Sequence, residues 1–296
     1  MKSHKFLLVL TVAVLVSLMV VVWFYPSTGD FRSDNPFWNG LEAFSDRFQA
    51  SPLQSLNSLP AKATGTALVV VPYLPFTKSE LERLKSYVLL GGTLVLLDDY
   101  GYGNEISEYF GLKFRFAQGV LMDPAFNYKN KQLPRVTRFG AVPVSRDVTS
   151  ITLNHATSLS GVLDSEVMAW SSWFSFLDLN SSSVWDEGEP KGPLPVAAGW
   201  PVNEGYVVAV SDPSILINSM EGMEDNFRFI QSLMEIQYPQ PQILVDQSHL
   251  PGARLDEAKG TLETIRSWFS SPLGISALVL VILAVALSPL WRRKNS

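Results

Sequence analysis

The segment 66–103 constrains the fold more than any other part of the chain. Residues 67–71 form a continuous apolar, β-branched run that is typical of a strand buried on both faces of a parallel sheet. Thr77 and Glu80 have the spacing of a capping box, which predicts the start of a helix. A second buried strand is predicted over 93–97. Two such strands joined by a helix predict a parallel βαβ unit of a layered α/β domain, because parallel strands need a crossover connection.

Both ends of the chain contain long apolar segments. Residues 6–24 carry no charged side chain and are long enough to cross a bilayer core of about 30 Å as a helix. Residues 274–290 form the second such segment. A cleaved signal peptide is the alternative for the first one. Its apolar core is longer than a usual signal core, and Tyr25-Pro26-Ser27 is a poor cleavage site, so an uncleaved anchor is favoured.

Basic residues flank both apolar segments and predict the membrane topology. Lys2 and Lys5 precede the first segment, and three basic residues follow the second. Such flanks stay in the cytoplasm, so both termini are predicted to be cytoplasmic and residues 26–271 extracytoplasmic. The predicted divisions are a tail with the first transmembrane helix over 1–25, an α/β domain over 26–252, a juxtamembrane helix over 253–271, a second transmembrane helix over 272–291 and a basic tail over 292–296.

Charge and cysteine content exclude several classes of protein. The chain has 28 acidic and 23 basic residues, and the two tails hold five of the basic ones. The predicted exterior is therefore acidic, which argues against nucleic acid and offers no basic patch to an anionic membrane surface. Cysteine is absent, which excludes disulfides, thiolate metal sites, a cysteine nucleophile and iron–sulfur clusters. No cofactor is expected.

The rest of the chain predicts an irregular middle and a return of the α/β pattern. Over 123–205, short β-like runs separated by Pro, Ser, Asn and Gly predict a β-rich insertion. A third buried strand is predicted over 206–210 and a short last strand over 242–245. The expected fold is a mostly parallel sheet flanked by helices. Further helices are predicted with caps at Asn35, Asn104 and Asp225, and over 255–269.

Polar residues follow the predicted strands where ligands bind in open α/β sheets, outside the carboxyl ends. Carboxylates at this edge could hold a divalent cation or act as an acid/base pair. The alternative is that Asp98 and Asp212 cap the turns or helices that follow, as Asp often does after a strand. This structural role is favoured, and no metal site is predicted. The candidate ligand-binding residues taken from these strand ends are Asp98, Asp99, Tyr100, Asp212 and Ser214.

Common catalytic motifs do not occur. No GxGxxG or GxxxxGK[ST] loop follows a strand, and His155 and His249 lack the spacing of a catalytic zinc site. No GxSxG elbow is found either. The aromatic stretch Trp170, Trp173, Phe174 and Phe176 could form a sugar-stacking or partner-binding surface, or it could be an amphipathic strand. Core packing is the favoured interpretation.

Two blocks of the sequence resemble a known family. TALVVVPYLPFTKSELERLKSYVLLGGTLVLLDDYGYG resembles the hallmark block of domain-of-unknown-function family 4350. GYVVAVSDPSILINSMEGMEDN, over 205–226, resembles that family's second block, in which Asp-Pro-Ser is followed by Asn and then by Asp-Asn. Asn218 and Asn226 of this block complete the candidate ligand-binding set.

The resemblance implies a fold and a setting rather than a reaction. It implies a prokaryotic membrane protein whose extracytoplasmic domain has a class I glutamine amidotransferase-like fold. The amidotransferases use a cysteine nucleophile, which this chain lacks, so glutaminase activity is not expected. Relatives are often encoded near MoxR-type AAA+ ATPases. This implies a protein partner in a membrane-associated assembly, with such an ATPase system as a possible participant.

Three functions fit these observations. The leading hypothesis is a non-enzymatic, membrane-anchored module that binds a protein partner or a small ligand outside the cell. The first alternative is an extracytoplasmic hydrolase, or a metal- or sugar-binding domain, that uses Asp98, Asp99 and Asp212. The second is an auxiliary subunit of a transporter, for which the two spans show few small or polar packing positions.

Overall fold

The computed structural model describes residues 2–140, 147–280 and 283. The chain divides into two units, one of Met1–Ser27 with Gly252–Ser296 and one of Thr28–Pro251. The described helices are α1 (Lys2–Phe24), α2 (Glu42–Phe48), α3 (Lys78–Leu89), α4 (Gly103–Phe110), α5 (Asn226–Met234) and α6 (Arg254–Ser270). The described strands are β1 (Ser51–Leu53), β2 (Thr66–Val70), β3 (Thr93–Leu97), β4 (Arg115–Phe116), β5 (Val120–Met122), β6 (Arg135–Val136), β7 (Arg138–Phe139), β8 (Ile151–Thr152), β9 (Leu159–Ser160), β10 (Val167–Trp170), β11 (Phe176–Asp178), β12 (Pro195–Val202), β13 (Gly205–Val210) and β14 (Gln242–Asp246).

An eight-stranded sheet forms the centre of the unit Thr28–Pro251. Its strand order is β1-β14-β2-β3-β13-β12-β10-β7. The first five strands are parallel, and the last three pair antiparallel. The predicted βαβ unit is confirmed, since β2 and β3 are parallel neighbours, with Val69 opposite Val95, and α3 connects them.

Helices cover both faces of the sheet, so the domain is a mixed α/β structure with two apolar layers. Side chains alternate along a strand, and Ala67 and Val69 of β2 therefore belong to one layer and Leu68 and Val70 to the other. The first layer includes residues of α2 and α5, and the second includes residues of α3 and α4. Every residue of β2 and β3 is buried, as predicted for strands between two layers of helices.

The capping box at the start of α3 is confirmed. The Glu80 backbone N–H donates to the Thr77 hydroxyl at 3.3 Å, and the Thr77 N–H donates to the Glu80 carboxylate at 2.8 Å. These two bonds satisfy N–H groups that a helix N-terminus leaves without partners. The helix therefore begins at the residue that the sequence indicates.

Two predicted caps are wrong. Helix α2 begins at Glu42, and Asn35 instead holds a turn by accepting from the Phe37 N–H at 2.8 Å. Asn104 lies inside α4, where its side chain bonds both the N–H and the C=O of Phe116. Both asparagines therefore fix loops to neighbouring backbone, a role that spacing along the sequence does not reveal.

The region 123–205 is rich in short strands, as predicted, but it is only partly an insertion. Strands β7, β10 and β12 extend the main sheet on its antiparallel side. The remaining pairs, β11 with β5, β4 with β9 and β6 with β8, form two-stranded sheets. Strands β12 and β13 form a hairpin with only residues 203–204 between them, which was not recognised from the sequence, whereas β7 and β10 pair with residues distant in sequence.

The unit formed by the two ends of the chain contains α1 and α6. The Ser27 hydroxyl donates to the Asp256 carboxylate at 2.7 Å, and the Arg266 guanidinium lies 5.6 Å from the centre of the Trp23 ring. Among the described residues one helix, Phe6–Phe24, is long and apolar enough to cross a membrane, and a signal sequence has the same features. Residues 281, 282 and 284–290 of the predicted second span lie outside the described residues.

Candidate functional site

The loops after β2, β3 and β13 meet at the carboxyl edge of the sheet, as the parallel arrangement predicts. The Asp98 N–H donates to the Val210 carbonyl at 3.1 Å, and the Tyr73 hydroxyl donates to Asp99 Oδ1 at 3.4 Å. Burial raises the pKa of the Tyr73 hydroxyl well above its usual range, and the charges of Asp99, Asp98 and Asp212 raise it further. The three carboxylates are therefore close to one tyrosine hydroxyl.

Asp98 holds the start of α4. Its side chain is 2% exposed, and its two oxygens accept from the N–H groups of Gly101 and Gly103, each at 2.7 Å. A Cβ atom at Gly101 would lie 2.3 Å from the Pro72 carbonyl oxygen, so this turn needs glycine. Burial raises the pKa of Asp98 to about 6, and the neighbouring Asp99 contributes to the increase. The capping role favoured from the sequence is confirmed here.

Asp212 has a similar role after β13. Its side chain is fully buried, Oδ1 accepts from the Ser214 N–H at 2.8 Å, and Oδ2 accepts from the Asn154 N–H at 2.6 Å. The first bond caps the short 3-10 helix Pro213–Leu216. Burial raises the pKa of Asp212 to about 8, with a further contribution from the charge of Asp99. Asp212 thus ties the loop after β13 to the turn at Asn154.

Asp99 and Tyr100 complete the edge. Asp99 Oδ1 accepts from the Tyr100 N–H at 2.7 Å, and burial raises the pKa of this carboxyl. The half-exposed Tyr100 ring reaches across the edge, and its hydroxyl donates to the His155 carbonyl at 3.0 Å. Burial raises the pKa of Tyr100 to about 12, and the charges of Asp99 and Asp212 add to this.

A pocket of about 250 Å³ opens beside these carboxylates. Of the predicted candidates, Ser214 lines it directly. Asp99 is linked to it through Tyr73, and Asp212 through Asn154 and Ser214. Aromatic rings and hydrogen-bonding groups in one small cavity can bind a polar ligand. The lining residues are Asp30, Phe31, Trp38, Asn39, Tyr73, Asn154, His155, Ser214 and Ile217.

Asn218 and Asn226 are not among the lining residues. The Asn218 amide accepts from the Ala43 N–H and donates to the carbonyls of Asn35 and Phe37. The buried Asn226 side chain likewise bonds backbone groups of residues 152 and 220. Both amides thus have backbone partners, so they fix loops rather than offer free ligand contacts.

Sequence reasoning missed most of the pocket walls. Phe31, Trp38 and Asn39 belong to the segment before α2, and His155 lies in a turn with φ of +55°. A left-handed backbone conformation is uncommon for a residue other than glycine. Nothing in the sequence pattern connects these residues, because they come from segments that are distant in sequence and meet only in the folded chain.

The predicted core packing of the aromatic stretch is wrong for two of its residues. Trp173 and Phe174 are 70% and 60% exposed, whereas Phe176 is buried. The first two lie in a turn before β11, where the alternation of a strand does not apply. The guanidinium of Arg138 lies 5.3 Å from the Trp173 ring, so this indole has a cation–π partner from β7.

A second group of titratable residues lies after β14. His249 is buried, its Nδ1 is 2.5 Å from Asp246 Oδ2, and its ring stacks on Phe76 at 3.8 Å. The Ser248 hydroxyl also faces Nδ1, whereas Nε2 is 3.8 Å from Glu80. A catalytic triad needs the serine on the opposite nitrogen from the aspartate, so this arrangement is not one.

The described residues contain no group of three or more His, Cys, Asp and Glu side chains that could hold a metal ion. The edge carboxylates Asp98, Asp99 and Asp212 are therefore near one another without converging on a common point. Their oxygens are directed at backbone N–H groups instead.

The fold and the site together define a mixed α/β domain with a small polar pocket at the carboxyl edge of its sheet. A family model described as "Domain of unknown function (DUF4350)" matches residues 33–234. The chain belongs to this family.

Solved structures show distant similarity. The N-terminal domain of mmIFT52 is 12% identical, with a TM-score of 0.48, over 69% of this chain and 90% of that one. A beta-galactosidase from Bacillus circulans sp. alkalophilus is 12% identical, with a TM-score of 0.34, over 58% of this chain and 22% of that one. A catalytic mutant of Gan42B, a GH42 beta-galactosidase from G. stearothermophilus, is 16% identical with the same coverage and TM-score. A comparison with curated protein sequences finds no significant match.

Proposed function

We propose that this protein is a membrane-anchored, non-enzymatic binding module. Its pocket at the sheet edge takes a small ligand or a side chain of a partner protein, within an assembly at the membrane or cell envelope. The observation that carries this proposal is the pocket itself, which opens where ligands bind in α/β sheets and has walls from four separate parts of the chain.

The bonding of the edge carboxylates supports binding rather than catalysis. Asp98 and Asp212 are almost completely buried, do not line the pocket, and each accept two backbone N–H bonds. A general acid or base must reach the proton that it transfers. These two carboxylates instead accept hydrogen bonds from the loops that shape the pocket, so they stabilise the protein and do not contact a ligand.

A hydrolase is the second candidate, and one observation favours it. The pKa values of Asp98 and Asp212 are raised to about 6 and about 8, and such values are frequent in active sites. This version predicts turnover of a glycan or another substrate by the full-length protein, lost in Asp212→Ala. The binding proposal predicts no turnover of any of these substrates by the unaltered protein. The control is that Asp212→Ala keeps the secondary structure of the unaltered protein.

The membrane setting is also part of the proposal. Phe6–Phe24 would anchor the chain in the membrane, and residues 274–290 would cross the membrane back to the cytoplasm. Residues 26–271 would then lie outside the cytoplasm. The partner would belong to a membrane assembly, and the family resemblance implies a MoxR-type AAA+ ATPase system as a participant in it. The amidotransferase-like fold and the alternative role as a transporter subunit also stay predictions.

The topology can be measured directly because the chain has no cysteine of its own. Lys78→Cys places a thiol on an exposed residue of the α/β domain, and Lys294→Cys places one in the basic tail. We expect a membrane-impermeant maleimide to label the first variant in intact cells and the second only after permeabilisation. Labelling of residue 294 in intact cells would contradict the proposed topology.

The binding proposal predicts site-specific capture. Trp38 lines the pocket and is 68% exposed, so a photocrosslinking amino acid at this position should be tolerated. In the native membrane we expect a discrete crosslinked species, identified by mass spectrometry. The exposed residue Lys78, on α3 and away from the lining, provides the control position. An identical pattern from both positions would contradict binding at the pocket.

A further inference from the structure

Aromatic rings form the walls of the sheet-edge pocket. Phe31, Trp38, Tyr73 and His155 all line it, and the centroids of Phe31 and Tyr73 are 5.5 Å apart with the planes tilted by 33°. Trp38 is largely exposed at the rim. Faces of Trp, Tyr and Phe carry negative electrostatic potential and attract cations. Such walls suit a ligand that is both apolar in outline and positively charged.

Aspartates supply negative charge beside the pocket. Asp30 lines it, and Asp98, Asp99 and Asp212 lie close enough to the Tyr73 hydroxyl to raise its pKa. None of these four carboxylates forms an ion pair with a Lys, Arg or His side chain in the described part of the chain. The Asn39 amide bonds Asp30, and backbone N–H groups bond the other three. These donors are neutral, so the negative charge beside the pocket comes mainly from Asp30 and Asp99, whereas Asp212, whose pKa is raised to about 8, is largely protonated at pH 7.

Two basic residues belong to the segments that form the pocket, Arg32 and His155. Arg32 follows a lining residue, but its guanidinium donates to the carbonyls of Gln247, Leu250 and Pro251 and does not line the cavity. His155 does line the cavity; its Nδ1 bonds the Asn154 side chain at 2.8 Å, and its charge acts on Asp99 in the direction that lowers the pKa of that carboxyl, although burial raises this pKa more strongly. Within the described part of the chain, no Lys or Arg lines the cavity.

The size of the pocket limits the ligand further. A volume of about 250 Å³ is below the roughly 300–1,000 Å³ of sites for drug-sized molecules. It has room for a head group of several heavy atoms, not for an oligosaccharide or a nucleotide. Asp30 and Asp99 also disfavour a phosphate or another anion by like-charge repulsion.

We infer that the pocket binds a compact organic cation, an ammonium or quaternary ammonium group, between the Phe31, Trp38 and Tyr73 rings and above Asp30 and Asp99. The inference rests on the proposed binding function and adds the class of ligand to it. The group could belong to a free small molecule or to a lysine side chain of a partner protein. The shared chemistry is an alkylated nitrogen cation against aromatic faces.

The test compares a cation with its neutral isostere on the full-length protein in a non-ionic detergent. Choline and 3,3-dimethylbutan-1-ol have nearly the same shape and differ in charge. Isothermal titration should give choline an affinity at least tenfold higher than the neutral alcohol, because cation–π attraction and the carboxylates act on charge alone. Nα-acetyl-lysine methylamide, a mimic of a lysine side chain in a protein, provides the arm that distinguishes the two sources.

Two variants at the rim connect the binding to the pocket. Trp38→Ala and Asp30→Asn change exposed side chains, so folding should persist, and each is expected to weaken choline binding at least fivefold. Trp173→Ala removes an equally exposed tryptophan that does not line the pocket, and Asp34→Asn removes an exposed aspartate of the same segment. These two controls should bind choline as the unaltered protein does.

The outcomes separate the two proposals. If choline and the neutral alcohol bind equally, and Trp38→Ala weakens both, the class of ligand is wrong and the binding function stands. If neither choline nor the lysine mimic binds at millimolar concentration, the inference is overturned. Crosslinking from position 38 then remains as the separate test of the binding function. Binding of the lysine mimic but not of choline would assign the site to a partner's side chain.

Discussion

Replacing Asn226 by alanine is expected to lower the free energy of unfolding by about 4 kcal/mol. The fully buried side chain accepts from the Thr152 N–H at 2.9 Å and donates to the carbonyls of Thr152 and Met220, each at 2.9 Å. Alanine leaves all three backbone groups buried without partners, and each such group costs about 1–3 kcal/mol. Urea unfolding of the full-length protein in non-ionic detergent, followed by tryptophan fluorescence, measures the change.

The same variant decides between two roles for this residue. A structural Asn226 loses stability on substitution, whereas a ligand-binding Asn226 would lose binding at unchanged stability. Asn57→Ala, an exposed position on a short 3-10 helix, should change stability by no more than about 0.5 kcal/mol and serves as the control. If Asn226→Ala lowers the free energy of unfolding as little as Asn57→Ala does, the three hydrogen bonds of Asn226 contribute little to stability.

The second large effect is a loss of stability as the pH is raised from about 4 to about 8. Asp98 and Asp212 have ordinary pKa values near ~4 when unfolded, and their folded pKa values are raised to about 6 and about 8. Between these limits the folded protein binds more protons than the unfolded chain, so its stability falls with pH. A tenfold change in proton affinity is worth about 1.4 kcal/mol, so Asp212 alone accounts for roughly 4 to 5 kcal/mol by pH 8.

Unfolding in urea at pH 5, 6, 7 and 8 should therefore show a steady decrease, and Asp212→Asn should flatten it. The matched control is Asp225→Asn. The charge of Asp225 stabilises the folded protein as the pH rises, and it does so at lower pH than the range in which Asp212 acts. Bonds from the Thr149 N–H and hydroxyl lower the pKa of Asp225 to about 2, so its contribution is present above about pH 4 and is lost as the pH falls toward 2. Equal slopes for the unaltered protein and Asp212→Asn would contradict the assignment to Asp212.

The parts of the fold that could be predicted are those with local physical causes. The β2–α3–β3 unit follows from two apolar runs, and the start of α3 follows from Thr77 and Glu80, which meet within one helical turn. The position of Asp98 and Asp212 at the sheet edge follows from the direction of parallel strands. In each case neighbours in sequence, or one rule of topology, determine the structure.

The walls of the pocket depend on long-range contacts instead. Phe31 and Trp38 come from the segment before the first strand, and His155 comes from a turn between β8 and β9. Asn218 and Asn226 resemble ligand residues in sequence but bond backbone groups that the folded chain brings to them. A side-chain amide can serve either use, and only the position of its partners distinguishes them.

The place of β14 in the sheet has a consequence for the order in which the chain can fold. This strand lies between β1 and β2, so Gln242 pairs with Thr66 and Leu244 with Ser51. As the polypeptide leaves a ribosome or a translocation channel, the outer edge of β2 stays open until residue 246 has emerged. An open apolar edge can pair with other chains, so we expect partly synthesised forms to need protection by a chaperone. Truncation before residue 242 should therefore give aggregation rather than a smaller stable domain.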